Sequence, residues 1–463
     1  MIGTKTFAAK IDVVPELRIP VLIQLEKEGW KPAILDSQRA FVNNAGINDW
    51  QMIDNLRIPE QARYLGPGAL PYLSEIFFQE KDIFYLAFYD ERTARRYQAA
   101  TSGEGLEIGL ISPDLDKLDV RLEDFAGAVE RAFKASVDGR KARHMKFEWT
   151  QRRPARSYSS KLREDSNAAF APASFTDRDV QLSNALTNQS VRLLLIELSQ
   201  AGFAREQDLV KRWGKKREEF DNAVASLKSN SLITTEYLLE CKRSNAPLVR
   251  FRDKTQLEDS RLRDLVCPTC GSSFEDERLS EGYTVAEDGR RMSAKSHWMT
   301  IWISNVLHDL GVPLEAILWN LSENGEEVDI LVDFLGQIWI FELKDREFGA
   351  GDAHPLNYRQ VRFKASKSVI VTTERVSADA KRVFAELDRE VRSRRRNVVP
   401  IYIEGLAQVR DVLNRELAKV SLGHASSLVA SIGLAAGFNL SSILAVRFGE
   451  SIESVQEETD FPF

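Results

Sequence analysis

Three residues in the last third of the chain have the types and spacing needed to hydrolyse a phosphodiester. Glu342 and Lys344 stand two apart in the run Ile338-Trp339-Ile340-Phe341-Glu342-Leu343-Lys344. A run this apolar belongs in a core strand, and strand residues two apart project from one face. Asp329 lies 13 residues before Glu342, in Val328-Asp329-Ile330-Leu331-Val332-Asp333. A hairpin turning at Leu335-Gly336 brings it back toward Glu342. Two carboxylates and a backbone carbonyl, such as that of Leu343, can hold Mg²⁺ or Mn²⁺ while the ion keeps several waters. Such an ion polarises a scissile phosphate and lowers the pKa of a bound water. Lys344 can orient that water or offset transition-state charge. A Glu and a Lys at this spacing also occur on ordinary solvated strands; the upstream aspartate on a hairpin that follows a helix makes the pattern informative.

The cysteines form a second group. Cys267-Pro268-Thr269-Cys270-Gly271 has the shape of a zinc knuckle, a tight turn aiming two thiolates at one metal with a glycine that permits the turn. The matching pair upstream is Cys241-Lys242-Arg243-Ser244, so the pattern is CxxS…CxxC with 22 residues between. It is similar to zinc ribbons appended to winged helices, with one ligand lost. Either Zn²⁺ is held by Cys241, Cys267, Cys270 and a fourth group from elsewhere, or the ribbon stands without metal. The role is structural in both cases.

The elements that must carry the acidic set follow an α-β-β-α-β order from about residue 292. Residues 298–310 space Ile301, Ile303, Val306 and Leu307 as one helical face, closed by Gly311. A short apolar segment and the two strands come next. Residues 292–415 resemble the PD-(D/E)XK nuclease superfamily, especially its restriction-endonuclease-like branch. The resemblance rests on Val328-Asp329, on Glu342-Leu343-Lys344, and on residues 364–373 as the third core strand. Ser377-Ala378-Asp379-Ala380-Lys381 opens the next helix, and residues 398–405 lead into the last strand-helix unit. It implies a Mg²⁺-dependent DNA endonuclease, with RNA a lesser substrate, using Asp329 and Glu342 as metal ligands and Lys344 in catalysis. One departure stands out: the first helix reads His297-Trp298-Met299-Thr300 where family members often place a glutamate. Glu326 or Glu327 would substitute, or a single metal would serve. The glycine-rich stretch around His354 and Tyr358 is expected as a loop able to touch substrate phosphate. Arg392, Arg394, Arg395 and Arg396 form a basic cluster nearby.

Upstream, residues 181–240 read as a winged helix: helices at 184–200, 205–213 and 215–228, then strand material from Leu232. Lys215, Lys216 and Arg217 open the helix a DNA reader would use, but Glu218, Glu219 and Asp221 follow at once. Residues 140–163 hold nine basic residues, Arg152 and Arg153 among them, against the single acid Glu148. With Phe147, Trp149 and Tyr158 interleaved, they fit a solvated linker or a phosphate-binding strap with stacking side chains.

The expected organisation is therefore multidomain α/β. An α/β domain at 1–139, with a sensor or regulatory role, precedes a basic linker at 140–180. A winged helix at 181–240, a degenerate zinc ribbon at 241–290, a nuclease core at 291–416 and a helical tail at 417–463 follow. The net charge of −6 over 463 residues confines nucleic-acid contact to local patches. Three cysteines and an N-terminus without an apolar signal stretch point to a reducing cytoplasm. Residues 422–446 carry no Asp, Glu, Lys or Arg, and are expected as one buried helix or two meeting near Asn439 rather than as a membrane span. They also offer a self-association surface. Recognition modules fused to a nuclease suggest restriction or anti-phage defence, acting as a homo-oligomer or with a partner subunit. The rival functions are a non-catalytic DNA-binding regulator and a partner-binding protein, each on a decayed core.

Overall fold

A computed structural model describes residues 1–11, 17–44, 73–89, 105–137, 139, 142, 145–152, 169–258, 264–273, 277–321, 328–391, 399–436 and 439–457. The chain forms two compact units of mixed α/β content, residues 1–157 with 410–463 and residues 158–409.

The first unit is built on the sheet β2-β3-β4-β1-β5, antiparallel throughout. Its strands are β1 (Gly3–Lys10), β2 (Leu73–Gln79), β3 (Asp82–Tyr89), β4 (Gly105–Ser112) and β5 (Thr150–Gln151). Alternation along the strands sends Phe77, Phe84, Leu86, Phe88, Ile108 and Leu110 to one face. There they meet helix α1 (Arg18–Lys27) and, beyond helix α2 (Ala33–Asn44), helix α3 (Leu118–Ser136). Glu75 caps α2: its buried carboxylate accepts N–H bonds from Ile34 at 2.7 Å and Leu35 at 3.0 Å, first-turn donors with no partner inside the helix. Burial raises the Glu75 pKa even though these bonds and Arg18 oppose it. Across β1, β3 and β4 the Tyr85 hydroxyl bonds Thr6 Oγ1 at 3.0 Å and donates to Glu107 at 3.2 Å, and Arg152 pairs with Glu107. The Tyr85 ring fills the space over Gly109, where an added Cβ would come within 2.2 Å of it.

Two expectations for the basic stretch are corrected here. Phe147 and Trp149 are not presented for stacking on bases; they pack against the first unit's core, 5.9 Å apart, with Trp149 Nε1 donating to Glu130. The 140–180 segment also supplies strands, β5 here and β6 (Ala169–Pro172) in the second unit. Arg140, Lys141, Arg143, Arg153, Arg156, Tyr158, Lys161 and Arg163 lie outside the described residues.

The second unit opens with α4 (Asp177–Ala185), α5 (Gln189–Ala201), α6 (Glu206–Trp213) and α7 (Arg217–Ser229). The helix expected at 184–200 divides because Asn188 caps a new one, its side chain accepting from Ser190 and Val191 N–H. Strands β7 (Ala204–Arg205), β8 (Ile233–Cys241), β9 (Pro247–Phe251) and β10 (Glu277–Val285) form the sheet β7-β10-β8-β9. β10 pairs with the whole of β8, from Cys241 opposite Glu277 to Ile233 opposite Val285. The first knuckle therefore lies at the β8–β9 turn, and the second in an excursion between β9 and β10 that leaves this sheet and returns to it.

Helices α8 (Glu287–Ser293) and α9 (His297–Asp309) lead to β11 (Ile317–Leu321), β12 (Ile330–Phe334) and β13 (Gln337–Lys344). The β12–β13 hairpin turns on Leu335 (φ 49°) and Gly336 (φ 79°), the two left-handed residues of a tight hairpin turn. Helix α10 (Ala350–Arg362) then crosses over to β14 (Lys367–Thr372), and α11 (Ala378–Val391) to β15 (Ile401–Glu404), both strands parallel to β13. The sheet order is β15-β14-β13-β12-β11-β6. Ile338, Ile340, Leu331 and Ile370 pack under Leu356, Phe363 and Phe384. Residues 350–358, expected as a loop, are the first turns of α10: Asp352 reaches back to the Gly349 N–H at 3.0 Å, which fixes the helix start despite two nearby glycines.

The last two helices, α12 (Val409–Ala436) and α13 (Leu440–Glu457), belong mainly to the first unit. Ala425, Val429, Ile432, Leu444 and Phe448 cover Ile2, Ile76, Ile83 and Ile111 on the second face of the antiparallel sheet. The uncharged 422–446 stretch thus lies on two helices that form a core layer. Among the described residues no helix is long and apolar enough to cross a membrane.

Candidate functional site

Strand β13 is buried from Ile338 to Leu343, and its apolar face ends in Glu342 and Lys344. The register that sets Ile330 opposite Phe341 carries Asp329 to the level of Glu342. The Asp329 carboxylate accepts the Leu343 N–H at 2.6 Å, which fixes it beside the strand's end. Glu342 is only 5% exposed. One of its oxygens lies 2.9 Å from Lys344 Nζ and the other 2.7 Å from the guanidinium of Arg359 on α10. Burial disfavours charge on Lys344, but Glu342, with Asp329 and Asp352, outweighs it and lifts the pKa above the ordinary lysine value. Lys344 is therefore a cation at neutral pH, not a base.

Asp329, Lys344 and Asp345 line a cavity of about 400 Å³, with Arg192 and Leu195 of α5 and Trp298 of α9 on its other walls. Glu342 is not on the wall; it sits behind Lys344 and reaches the cavity through it. Asp345 is held by Arg192 at 3.1 Å and by Trp298 Nε1 at 3.3 Å, and the Arg192 guanidinium lies 5.3 Å from the Trp298 ring. Arg192 also donates to the carbonyls of Leu186 and Thr187, so one side chain ties the end of α4 to the end of β13. Asp345 is thus bonded to Trp298 of the helix that carries no acid at its start.

Of the two expected Mg²⁺ ligands, Asp329 lines the cavity, whereas Glu342 is off its wall and has both oxygens paired, with Lys344 and Arg359. Sequence reading passed over Arg192, Arg359 and Asp345. Asp345 directly follows the Glu-Leu-Lys triplet and had a signal. The arginines stand 153 residues before and 17 residues after their partners, a distance no local pattern reports.

The remaining expected residues lie elsewhere. His354 and Tyr358 are exposed on α10 and do not line the cavity. At the start of α7, Lys216 pairs with Glu219 at 3.3 Å and Arg217 with Asp221 at 2.9 Å; Lys215 is exposed in the turn before them. Arg152 is committed to Glu107 in the first unit. Glu326, Glu327 and Arg392, Arg394, Arg395 and Arg396 lie outside the described residues.

The cysteines converge: the sulfurs of Cys241, Cys267 and Cys270 all lie within 4.8 Å of one another. The Ser244 hydroxyl is 3.1 Å from Cys267 Sγ, and Cys270 Sγ is 3.5 Å from Cys241 Sγ and 2.9 Å from Ser272 Oγ. Hydrogen bonds from the Ser244 side chain and from knuckle N–H groups bring the Cys241 thiol down to about 6. All three are free thiols, and together they form a cluster able to hold a metal such as Zn²⁺.

No known family matches the sequence, and no curated protein matches it. Among solved structures the chain is similar to protein VC1899 from Vibrio cholerae, at 12% identity and a TM-score of 0.32. The match covers 55% of this chain and 59% of that one, less than two thirds of its length.

Proposed function

We infer that residues 291–416 form a metal-dependent nuclease of the PD-(D/E)XK kind that hydrolyses phosphodiester bonds in DNA. The observation that carries this is the meeting of Asp329, Glu342 and Lys344 at one end of the β12–β13 hairpin, beside a cavity. The order α9, β11–β12–β13, α10, β14 supports it, being the helix, three-stranded meander and parallel crossover that the superfamily's core requires. A divalent ion on Asp329 and Glu342 would supply Lewis acidity and an activated water. Lys344, charged and hydrogen-bonded to Glu342, would face the phosphate and offset its growing negative charge. Arg192 and Trp298 would keep Asp345 turned to the same cavity.

Helices α5, α6 and α7 with strands β7, β8 and β10 follow the order of a winged helix, in which Lys216 and Arg217 are already paired with acids. That favours a positioning role over base reading. Such modules beside a nuclease suit restriction or anti-phage defence in the cytoplasm, with the first unit as sensor. This setting is an analogy.

The test is cleavage of plasmid and single-stranded DNA with Mg²⁺ or Mn²⁺ by the intact protein, Asp329→Ala and Lys344→Ala. Cleavage lost in both variants supports the assignment; cleavage that survives both places the activity elsewhere. One observation favours a second reading, DNA binding without cleavage: Arg359 already neutralises Glu342. DNA binding that falls steeply with salt, with no cleavage even in Arg359→Ala, would support it.

A further inference from the structure

The two cysteine knuckles share the same backbone hydrogen bonds. In the first, Asn245 N–H donates to the Cys241 carbonyl at 2.8 Å and Cys241 N–H to the Ala246 carbonyl at 3.0 Å. In the second, Gly271 N–H donates to the Cys267 carbonyl at 2.9 Å and Cys267 N–H to the Ser272 carbonyl at 2.8 Å. The fifth residue is left-handed in both, Asn245 at φ 55° and Gly271 at φ 68°. The sulfur contacts repeat as well: Cys241 accepts from the N–H groups of Arg243 and Ser244, Cys267 from those of Thr269 and Cys270. Cys241 thus corresponds to Cys267, and Ser244 to Cys270.

We propose that Ser244 occupies the fourth corner of a zinc site whose other three ligands are Cys241, Cys267 and Cys270. The side chains meet as such a site requires. Zn–S bonds of about 2.3 Å separate tetrahedral sulfurs by about 3.8 Å, and here Cys241 and Cys270 are 3.5 Å apart with Ser244 Oγ 3.1 Å from Cys267. Among the described residues the neighbouring apolar cluster has Leu239 and Phe251 buried, with Tyr237, Leu248, Val249, Leu257 and Leu265 partly so. A core this small needs a staple. Three thiolates leave the zinc centre with a single negative charge, and exposed Lys242 and Arg243 lie within the first knuckle. A neutral hydroxyl binds zinc more weakly than a thiolate, so this corner exchanges and the metal is released more readily than from four cysteines.

The experiment uses the full chain under reducing conditions. Zinc per chain is measured, Co²⁺ is titrated while the sulfur-to-cobalt charge-transfer and tetrahedral d–d bands are followed, and release to a chelator is timed. The expected result is one metal per chain, loss of the bands in Cys267→Ala, and at least tenfold slower release from Ser244→Cys. Release from Ser244→Cys at the intact protein's rate would overturn the corner assignment. Absence of the cobalt bands in the reduced intact protein would overturn the metal site, even if Cys267→Ala fails to fold. None of these readouts depends on nuclease activity.

Discussion

Both large sheets of this chain bury glutamates, and they neutralise them differently. In the antiparallel sheet of the first unit, Glu75 is held by three backbone N–H groups and Glu107 by Tyr85 and Arg152. Every partner belongs to the same unit. In the six-stranded sheet Glu342 is held by Lys344 and Arg359, and Lys344 stands on a cavity wall facing a second carboxylate. A buried acid is therefore not by itself a sign of chemistry. The sign is a buried acid whose counter-charge is shared with other acids at an opening.

The sharpest way to break this contrast is to exchange the outcomes. Lys344→Ala is expected to reduce metal-dependent cleavage by about 10²–10³-fold with only a modest drop in the thermal unfolding midpoint, because Arg359 still pairs with Glu342. Glu75→Ala should do the reverse, costing about 3 kcal/mol of stability in denaturant titration because it strips the cap from α2 and removes the carboxyl group near Arg18. If Glu75→Ala instead abolished cleavage in a fully folded protein, the distinction between the two sheets would fail.

A milder probe of the first sheet is Gly109→Ala. Its methyl would meet the Tyr85 ring at 2.2 Å, and overpacking of this kind costs about 1–3 kcal/mol, read as an earlier urea midpoint. For the second sheet, pH sharpens the comparison. Since the Lys344 pKa is raised, its pairing is fully present below the ordinary lysine value and lost only as pH climbs through the raised one. Melting of residues 158–409, followed by tryptophan fluorescence, should show no loss from this pair between neutrality and about pH 10. The smallest effect belongs to the hairpin turn: Gly336→Ala, at φ 79°, should cost about 1 kcal/mol.

What was legible in the sequence was what rests on local pattern. The β12–β13 hairpin showed itself through its apolar runs and its Leu335-Gly336 turn, and helix α9 through the spacing of Ile301, Ile303 and Val306. The uncharged 422–446 stretch showed the break between two helices, but not that they form the second layer of the first sheet. That placement depends on Ile2, Ile76 and Ile83 facing them across hundreds of residues. The loop expected around His354 was misjudged because Gly349 and Gly351 outweighed Asp352, whose bond back to Gly349 N–H starts the helix. In the site, Asp329, Glu342 and Lys344 were visible as a triplet. Arg192 and Arg359 were not, because a lone arginine on an amphipathic helix looks like any solvated one until its partner is known.

The pairing of β8 with β10 has a consequence for how the chain folds. The ladder starts at Cys241 opposite Glu277, so it cannot zip from a tight turn; a long loop must close first, at an entropic cost that grows with the logarithm of its length. When Cys241 and Cys270 meet, most of that loop is already closed, and only the short segment after Gly271 separates the contact from the first rung. The knuckles thus act as a substitute turn: whatever holds the sulfurs together also sets the register and the rate at which the two strands find each other.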